Sequence, residues 1–228
     1  MKKIILSSAL ILSSSMAKID VTAGLLLGGV HEKSKIAESV TMPADSYAFG
    51  QKNKGRGVLG GINIGARTQV SKFVIGADVE VFAAQSKQAI TKQLDDSVIG
   101  QSKVYKRDFR YLGGYNFGLK IGYSITEGMT IYLRPMIGLD RFETKIMYMD
   151  DITTPINNRR KNNHVIAKGI GLGLEKQAGS FLVGLEGRYV KNGTIRQTHR
   201  FFDAPQDTTT LKTKPSRYMG LIKVSYVF

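Results

Sequence analysis

Apolar and polar residues alternate with a period of two in about eight stretches of this 228-residue chain. This period is typical of a β-strand whose two faces meet different surroundings. The predicted strands lie near residues 18–30, 58–69, 73–84, 107–123, 129–142, 165–176, 181–191 and 218–228. In the clearest one, the alternation places seven apolar residues outward: Phe109, Tyr111, Tyr115, Phe117, Leu119, Ile121 and Tyr123.

The segments between the predicted strands alternate in length. Long connections are predicted at residues 31–57, 85–106, 143–163 and 192–215, and short turns at 70–72, 124–128 and 177–180. Strands that carry one continuous apolar face and join by alternating short and long connections are typical of outer-membrane barrels. We therefore predict an all-β fold for residues 18–228: a transmembrane antiparallel up-and-down β-barrel of about eight strands with four long extracellular loops.

The polar faces of these strands carry charges of both signs. Six basic and six acidic residues are predicted to point inward: Arg67, Arg110, Lys120, Arg134, Arg188, Lys223, Asp20, Asp78, Glu80, Asp140, Glu175 and Glu186. An eight-stranded barrel is just wide enough to be filled by side chains, and charges of opposite sign can satisfy one another there. The balance favours a filled scaffold over an open pore. Lys168 is the one charge predicted on an outward, lipid-facing position.

The first residues predict export. Lys2 and Lys3 precede a short apolar run, and Ser15-Met16-Ala17 forms a small-x-small cleavage site, so residues 1–17 are predicted to be a cleaved signal peptide. The net charge is +15, which favours anionic partners, and export argues against nucleic acid. The chain has no Cys, which excludes a disulfide framework or a Cys metal site. We predict no metal and no cofactor.

The densest basic cluster is Arg159-Arg160-Lys161, which Asn residues flank on both sides within the third long connection. Arg suits bidentate recognition of phosphate or sulfate. One interpretation is a polyanion-binding site for lipopolysaccharide or sulfated glycans. The other is a solvated loop tip.

The mature chain resembles the small eight-stranded outer-membrane proteins, namely the opacity-protein family and the transmembrane domain of outer membrane protein A. The resemblance is carried by Ser15-Met16-Ala17, the 109–123 alternation, the four long connections and the terminal Tyr226-Val227-Phe228. It implies a non-enzymatic surface protein of the bacterial outer membrane, an envelope scaffold or an adhesin for host glycans or surface proteins. It also implies that the barrel-assembly machinery reads Tyr226 and Phe228 as a C-terminal signal.

Two alternatives remain open at this point. One is a small porin. The other is a lipid A-modifying acyltransferase, because lipid A palmitoyltransferases are also eight-stranded barrels, with a His in the first extracellular loop and an Asp-Ser pair in the second. Here His31 and Asp96-Ser97 occupy similar places. Those enzymes carry an N-terminal amphipathic helix and an apolar interior pocket for an acyl chain. This chain has no room for the helix before the first predicted strand, and its predicted interior is charged, so we predict no catalytic residues.

Overall fold

A computed structural model describes residues 18–41, 46–96, 101–151, 154–200 and 208–228. The predicted signal peptide at 1–17 lies outside the described residues. Within the described ranges there are nine strand segments and no helix. The segments are β1 (Ile19–Thr41), β2 (Ser46–Val70), β3 (Phe73–Asp96), β4 (Gln101–Thr126), β5 (Met129–Asp151), β6 (Thr154–Ala178), β7 (Phe181–Asn192), β8 (Ile195–Arg200) and β9 (Thr208–Val227).

The segments form one closed antiparallel ring. Consecutive segments pair from β1 to β7, and β9 pairs with β1 along its whole length, which closes the sheet. β7 and β8 follow one another along β9, so they are two halves of a single interrupted strand. The ring therefore has eight positions around its circumference. The predicted up-and-down barrel of about eight strands is confirmed.

Three tight turns connect the strands at one end of the barrel. They lie between β2 and β3, between β4 and β5, and between β6 and β7, where short turns were predicted. Each places one residue in the left-handed region: Ser71 at φ 57°, Gly128 at φ 75° and Gly179 at φ 61°. Gly adopts this conformation without a steric penalty, which explains its use in two of the three turns.

At the opposite end the strands are much longer than the alternation predicts. β1 pairs with β2 out to Thr41↔Ser46, and β5 pairs with β6 out to Asp151↔Thr154. The described parts of the four predicted long loops are therefore mostly strand, and the prediction of loops there was wrong. Beyond the lipid both faces of a strand can be polar, so the alternation fades although the backbone continues to pair.

A band of large apolar side chains surrounds the outside of the barrel next to the tight turns. Leu25, Ile62 and Leu119 are each about half exposed or more, whereas the inward Leu26 and Glu80 are buried. Every strand position of the ring contributes to this band. So much contiguous exposed apolar surface requires an apolar solvent, and the band is the lipid-facing surface.

One stretch of the predicted outward face points inward instead. Between Tyr111 and Gly113 the pairing of β4 with β5 shifts by one residue, and Gly113 has φ +113°. A bulge of this kind adds one residue to a strand and changes the face on which the preceding side chains lie. Phe109 and Tyr111 are consequently buried inside the barrel, so their predicted outward orientation was wrong. The outward positions from Tyr115 to Tyr123 are confirmed.

Inside the lipid-facing part of the barrel the charged side chains pair with one another. The two terminal nitrogens of Arg188 donate to the two carboxylate oxygens of Glu80, both at 2.6 Å. Lys223 Nζ lies 2.7 Å from Glu80 and 2.6 Å from Glu186, and Arg134 bonds Asp78. All twelve charges predicted to point inward take part in ion pairs. Arg110, however, lies between the inward Phe109 and Tyr111 and is therefore on the outward side opposite Lys87, so its predicted inward orientation was wrong.

On the side of this charged layer that is farther from the tight turns, an aromatic layer fills the interior. The rings of Phe109 and Phe142 stack at 5.1 Å, and Tyr111 packs against Phe142 at 5.2 Å. The guanidinium of Arg217 lies 4.0 Å from the Tyr111 ring and bonds Asp140. Below, a cavity of about 30 Å³ lined in part by Lys120 and Glu175 has room for about two waters. The charged layer and the aromatic layer thus fill much of the described interior.

The lipid-facing band gives a test of the register. Leu119→Arg should destabilise the barrel by about 2–4 kcal/mol in a bilayer, because a cation near the midplane must leave water. Ala89→Arg is the matched control, since Ala89 is exposed on β3 beyond the band and faces Asp108 of β4. Its cost should lie within about 0.5 kcal/mol of zero. Unfolding titrations in lipid vesicles measure both, and equal costs would contradict the placement of the band.

The filled interior gives a second prediction, which concerns the porin alternative. The ion pairs and the aromatic layer should block ions and solutes, so the refolded protein should show no stable conductance in planar bilayers. Arg188→Ala together with Arg134→Ala should raise leak events, because it removes two buried side chains and leaves Glu80 without most of its partners. Long-lived conductance from the parent protein would support a pore.

Candidate functional site

Aromatic side chains mark the two borders of the lipid-facing band. Near the tight turns, Phe181 and Tyr226 contact each other at 5.6 Å, and Tyr226 contacts Phe228 at 5.0 Å. The N–H of Phe228 donates to the carbonyl of Val21 at 3.0 Å. At the other border Tyr189 of β7 and Tyr218 of β9 contact each other at 5.0 Å. The predicted signal residues Tyr226 and Phe228 thus lie on the outer surface, at the border nearer the turns.

Directly beyond the Tyr218 border, the outward side of the barrel becomes strongly basic. Lys33 extends over the Tyr218 ring, with Nζ 5.0 Å from its centre. From there outward, every charged side chain described on the outward side of β1, β2, β8 and β9 is a cation, and all are exposed. We call this surface the basic face; it consists of Lys33, Lys35, Lys52, Lys54, Arg56, Arg196, Lys212 and Lys214.

Pairing between the strands places these like charges directly opposite one another. Lys33 of β1 faces Lys54 of β2. Lys35 has a lysine on each side, Lys52 in β2 and Lys214 in β9. Side chains that face each other across a strand pair have Cβ atoms about 4.5–5.5 Å apart, and like charges there are destabilising. The barrel thus concentrates positive charge at this surface.

No carboxylate on these strands faces the same side. β2, β8 and β9 contain no Asp or Glu in their described residues. The three in β1 are Asp20, Glu32 and Glu38, all at even positions that alternate inward. The eight cations of the basic face form no ion pair with any described residue. The positive potential of the surface is therefore not cancelled from within the described structure.

The opposite side of the barrel differs in this respect. There Lys87 Nζ lies 3.1 Å from Asp108, and Arg110 lies 3.8 Å from Glu143. Both carboxylates are almost fully buried, so they act as fixed counter-charges for exposed cations. The outward side of β3 to β5 thus carries buried carboxylates that offset part of its positive charge, whereas the outward side of β8, β9, β1 and β2 has none among its described residues.

The predicted cluster Arg159-Arg160-Lys161 lies in strand β6 and not in a loop. Arg160 Nε is 3.3 Å from Glu143, so part of its charge is balanced. Lys161 is exposed, and the side chain of Arg159 lies outside the described residues. The structure does not test whether these residues bind polyanions, and they remain a hypothesis.

The basic face is not evident in the sequence because its members are spread over 182 residues of chain, from 33 to 214. A local signal was present. Lys33 and Lys35, Lys52 and Lys54, and Lys212 and Lys214 are each two residues apart, which on a strand places both cations on one face. Reading these segments as loops concealed that spacing. Arg217, from the same basic stretch, is buried and paired with Asp140.

The pair considered for an acyltransferase is not brought together. His31 faces Arg56, and Arg56 faces Lys87 of β3. Asp96 is nine residues farther along β3, about 30 Å away at 3.3 Å per residue. Ser97 lies outside the described residues. The register thus contradicts a catalytic pair made of His31 and Asp96.

The described residues contain neither a metal-binding cluster nor a membrane-spanning helix. They hold no group of three or more His, Asp or Glu side chains arranged to bind a metal ion. The same described residues contain no helix that is long and apolar enough to cross a membrane.

Comparison with known proteins rests on structure alone. Neither a known protein family nor a curated protein matches the sequence. The outer membrane protease OmpT from Escherichia coli is similar in structure, with a TM-score of 0.53, 9% identity, and coverage of 92% of this chain and 97% of OmpT.

Two other outer-membrane proteins give lower TM-scores. Ail, the attachment invasion locus protein of Yersinia pestis, gives a TM-score of 0.35 at 12% identity, covering 91% of this chain and 98% of Ail. Neisserial surface protein A gives 0.37 at 9% identity, covering 88% of this chain and 97% of that protein. At 9% identity the OmpT likeness bears on the fold and not on the activity. Together with the closed ring and the apolar band, the OmpT likeness confirms the predicted resemblance: this chain has the fold of the small outer-membrane β-barrel proteins.

Proposed function

We propose that this protein is a non-enzymatic surface barrel of the bacterial outer membrane and that its basic face binds the phosphate groups of lipopolysaccharide. In this proposal residues 1–17 direct export, and the barrel-assembly machinery recognises Tyr226 and Phe228. The observation that carries the proposal is the rows of unpaired, like-charged side chains on β1, β2, β8 and β9 beside the Tyr218 border.

The position of the basic face supports a membrane-bound anion. Lys33 is six residues beyond Leu27, the last large apolar residue on the outward side of β1, and it contacts the border residue Tyr218. This is the level at which lipid headgroups meet the barrel. Lys and Arg side chains near a membrane surface are each attracted to anionic lipid by about 1 kcal/mol.

The spacing of the cations supports a multivalent phosphate ligand. Facing lysines about 5 Å apart at Cβ can both reach one phosphate group with their flexible side chains. A bound phosphate would replace the repulsion of Lys33 and Lys54 by two charge-assisted hydrogen bonds. Several such pairs lie side by side, so a ligand with several phosphates gains more than a monovalent anion does.

This proposal predicts that neutralising the basic face has opposite effects with and without the ligand. The test variant combines Lys33→Gln, Lys35→Gln, Lys52→Gln and Lys54→Gln. In phosphatidylcholine vesicles it should be more stable than the parent, by roughly 0.2–1 kcal/mol per relieved pair, because like charges no longer face each other. In vesicles that contain lipopolysaccharide the order should reverse. Unfolding titrations in the two lipids measure the difference.

A matched control removes the same charge from the other side of the barrel, with Arg141→Gln, Lys145→Gln, Arg160→Gln and Lys161→Gln. Its stability should change by a similar amount in the two lipids. If control and test variant respond to lipopolysaccharide alike, only net charge matters and the basic face is not a binding site.

A second candidate function concerns Arg159, Arg160 and Lys161, for which we propose contact with soluble sulfated glycans. The observation in favour is their distance from the membrane. Lys168 of β6 faces Lys191 of β7 near the Tyr189 border. Arg160 lies eight residues from Lys168 along the same strand, on the side away from the membrane, and eight residues of a strand span about 26 Å. A soluble ligand can reach that level, whereas lipid headgroups cannot.

Replacing Arg159, Arg160 and Lys161 by Gln in one triple variant should therefore weaken binding to heparin-like glycans and leave barrel stability unchanged. Binding of the parent should also fall as salt rises, because the Debye length shortens from about 10 Å at 0.1 M to about 3 Å at 1 M. Titration of the glycan at physiological salt compares the triple variant with the four-lysine variant of the basic face. Unchanged affinity in the triple variant would show that the cluster is only a solvated strand surface.

A further inference from the structure

The barrel wall is interrupted on the side away from the tight turns. The last pair between β6 and β7 is Ala167↔Asn192, and the N–H of Gly193 then donates to the carbonyl of Ile166 at 2.9 Å. Beyond this point β6 pairs only with β5, and β8 pairs only with β9, among the described pairings. Two strand edges, β6 from Thr154 to Ile166 and all of β8, therefore flank an open seam.

The interruption has a local cause. Between Lys191↔Ser216 and Ile195↔Thr213, three residues of the interrupted strand stand opposite two of β9. One of those two is Pro215, which has no N–H to donate to the ladder. The extra residue forms a bulge at Gly193 and Thr194, which shifts β8 out of register with β7. An Asn192-Gly193 dipeptide, a common turn signal, marks the position in the sequence.

The seam does not lead into the barrel. Beneath it, Val165 and Ile195 are buried within the same apolar cluster. The side chain of Gln197 crosses the interior and donates to Thr144 Oγ1 of β5 at 3.0 Å. The seam exposes backbone groups. Alternate residues of a strand direct their N–H and C=O groups to opposite sides, so about three of the six residues of β8 direct an N–H and a C=O group toward the seam.

The side chains that the structure describes along the two edges are all basic or neutral. Arg160 and Lys161 lie on β6, and Arg196 lies on β8. Cations on an exposed edge prevent pairing with another edge of the same kind, so a second copy of this chain would be repelled. An extended segment that carries carboxylates would instead be attracted from both edges.

From these observations we infer that the seam between β6 and β8 is a docking site for an extended acidic peptide segment of a partner protein. The segment, about six residues long to match β8, adds as a strand and pairs with both edges. Backbone hydrogen bonds hold it, and alternate carboxylates contact Arg160 and Arg196. The segment shares Arg196 with the basic face and Arg160 with the Arg159-Arg160-Lys161 cluster, but the inference does not depend on lipopolysaccharide binding, because the backbone of the two edges holds the segment.

The experiment uses the full barrel in detergent micelles and the synthetic peptide acetyl-VEVEVEVE-amide. Two control peptides separate backbone pairing from charge: one carries N-methyl groups on alternate residues, and the other replaces Glu by Lys. The parent peptide should bind at least tenfold more tightly than either control. Hydrogen exchange should show new protection confined to amides in residues 154–166 and 195–200. Equal binding of the N-methylated peptide would overturn the inference, because that peptide retains the charge but cannot form the ladder.

Two protein variants complete the test. Deleting Thr194 and replacing Pro215 by Val removes the extra residue and restores the missing donor, so β8 can continue the register of β7 and close the seam; peptide binding should be lost. Arg160→Gln with Arg196→Gln keeps the seam and should weaken binding about tenfold while the protection pattern remains. Peptide binding that survives in a folded, closed-seam variant would also overturn the inference.

Discussion

The whole structure depends on closing the backbone hydrogen-bond ladder. A strand exposed to lipid has no water to satisfy its N–H and C=O groups, so each strand needs a neighbour on both sides throughout the apolar band. The pairing of β9 with β1 meets this requirement at the end of the chain. Where the barrel leaves the band the requirement ends. That is where the wall opens between β6 and β8, since water can satisfy the free edges there.

The interior follows from the same closure. A ring of eight strands leaves space for side chains but not for a channel, and charged groups taken out of water must find partners. Glu80 shows how completely this is met, with Arg188, Lys223 and Arg134 all within 3.4 Å of its carboxylate. With the inside balanced, the excess positive charge of the chain lies elsewhere, and part of it forms the basic face. Charge therefore separates into a balanced interior and an unbalanced outer surface.

The sequence predicted those parts of the fold in which lipid imposes a pattern. The alternation placed Leu119 outward and Arg134 inward correctly, and it identified the three tight turns. It failed at Phe109 and Tyr111 because one extra residue, Leu112, forms a bulge beside Gly113 and reverses the faces, which no regular pattern reveals. It also failed beyond the lipid, where Lys33 and Lys54 lie on strands predicted as loops. The basic face depends on strand register, and register between distant segments is not visible in local sequence.

The central claim is that phosphate groups of lipopolysaccharide lie against the basic face. Solid-state NMR can test it directly by dipolar dephasing between ³¹P of the lipid and ¹³Cε of labelled lysines in bilayers that contain lipopolysaccharide. Single Lys→Arg replacements assign the signals. The account predicts strong dephasing for Lys33, Lys35 and Lys54, and little for Lys87 and Lys120, which are paired with carboxylates of the protein. Equal dephasing of all five lysines, or none at Lys33 and Lys54, would contradict it.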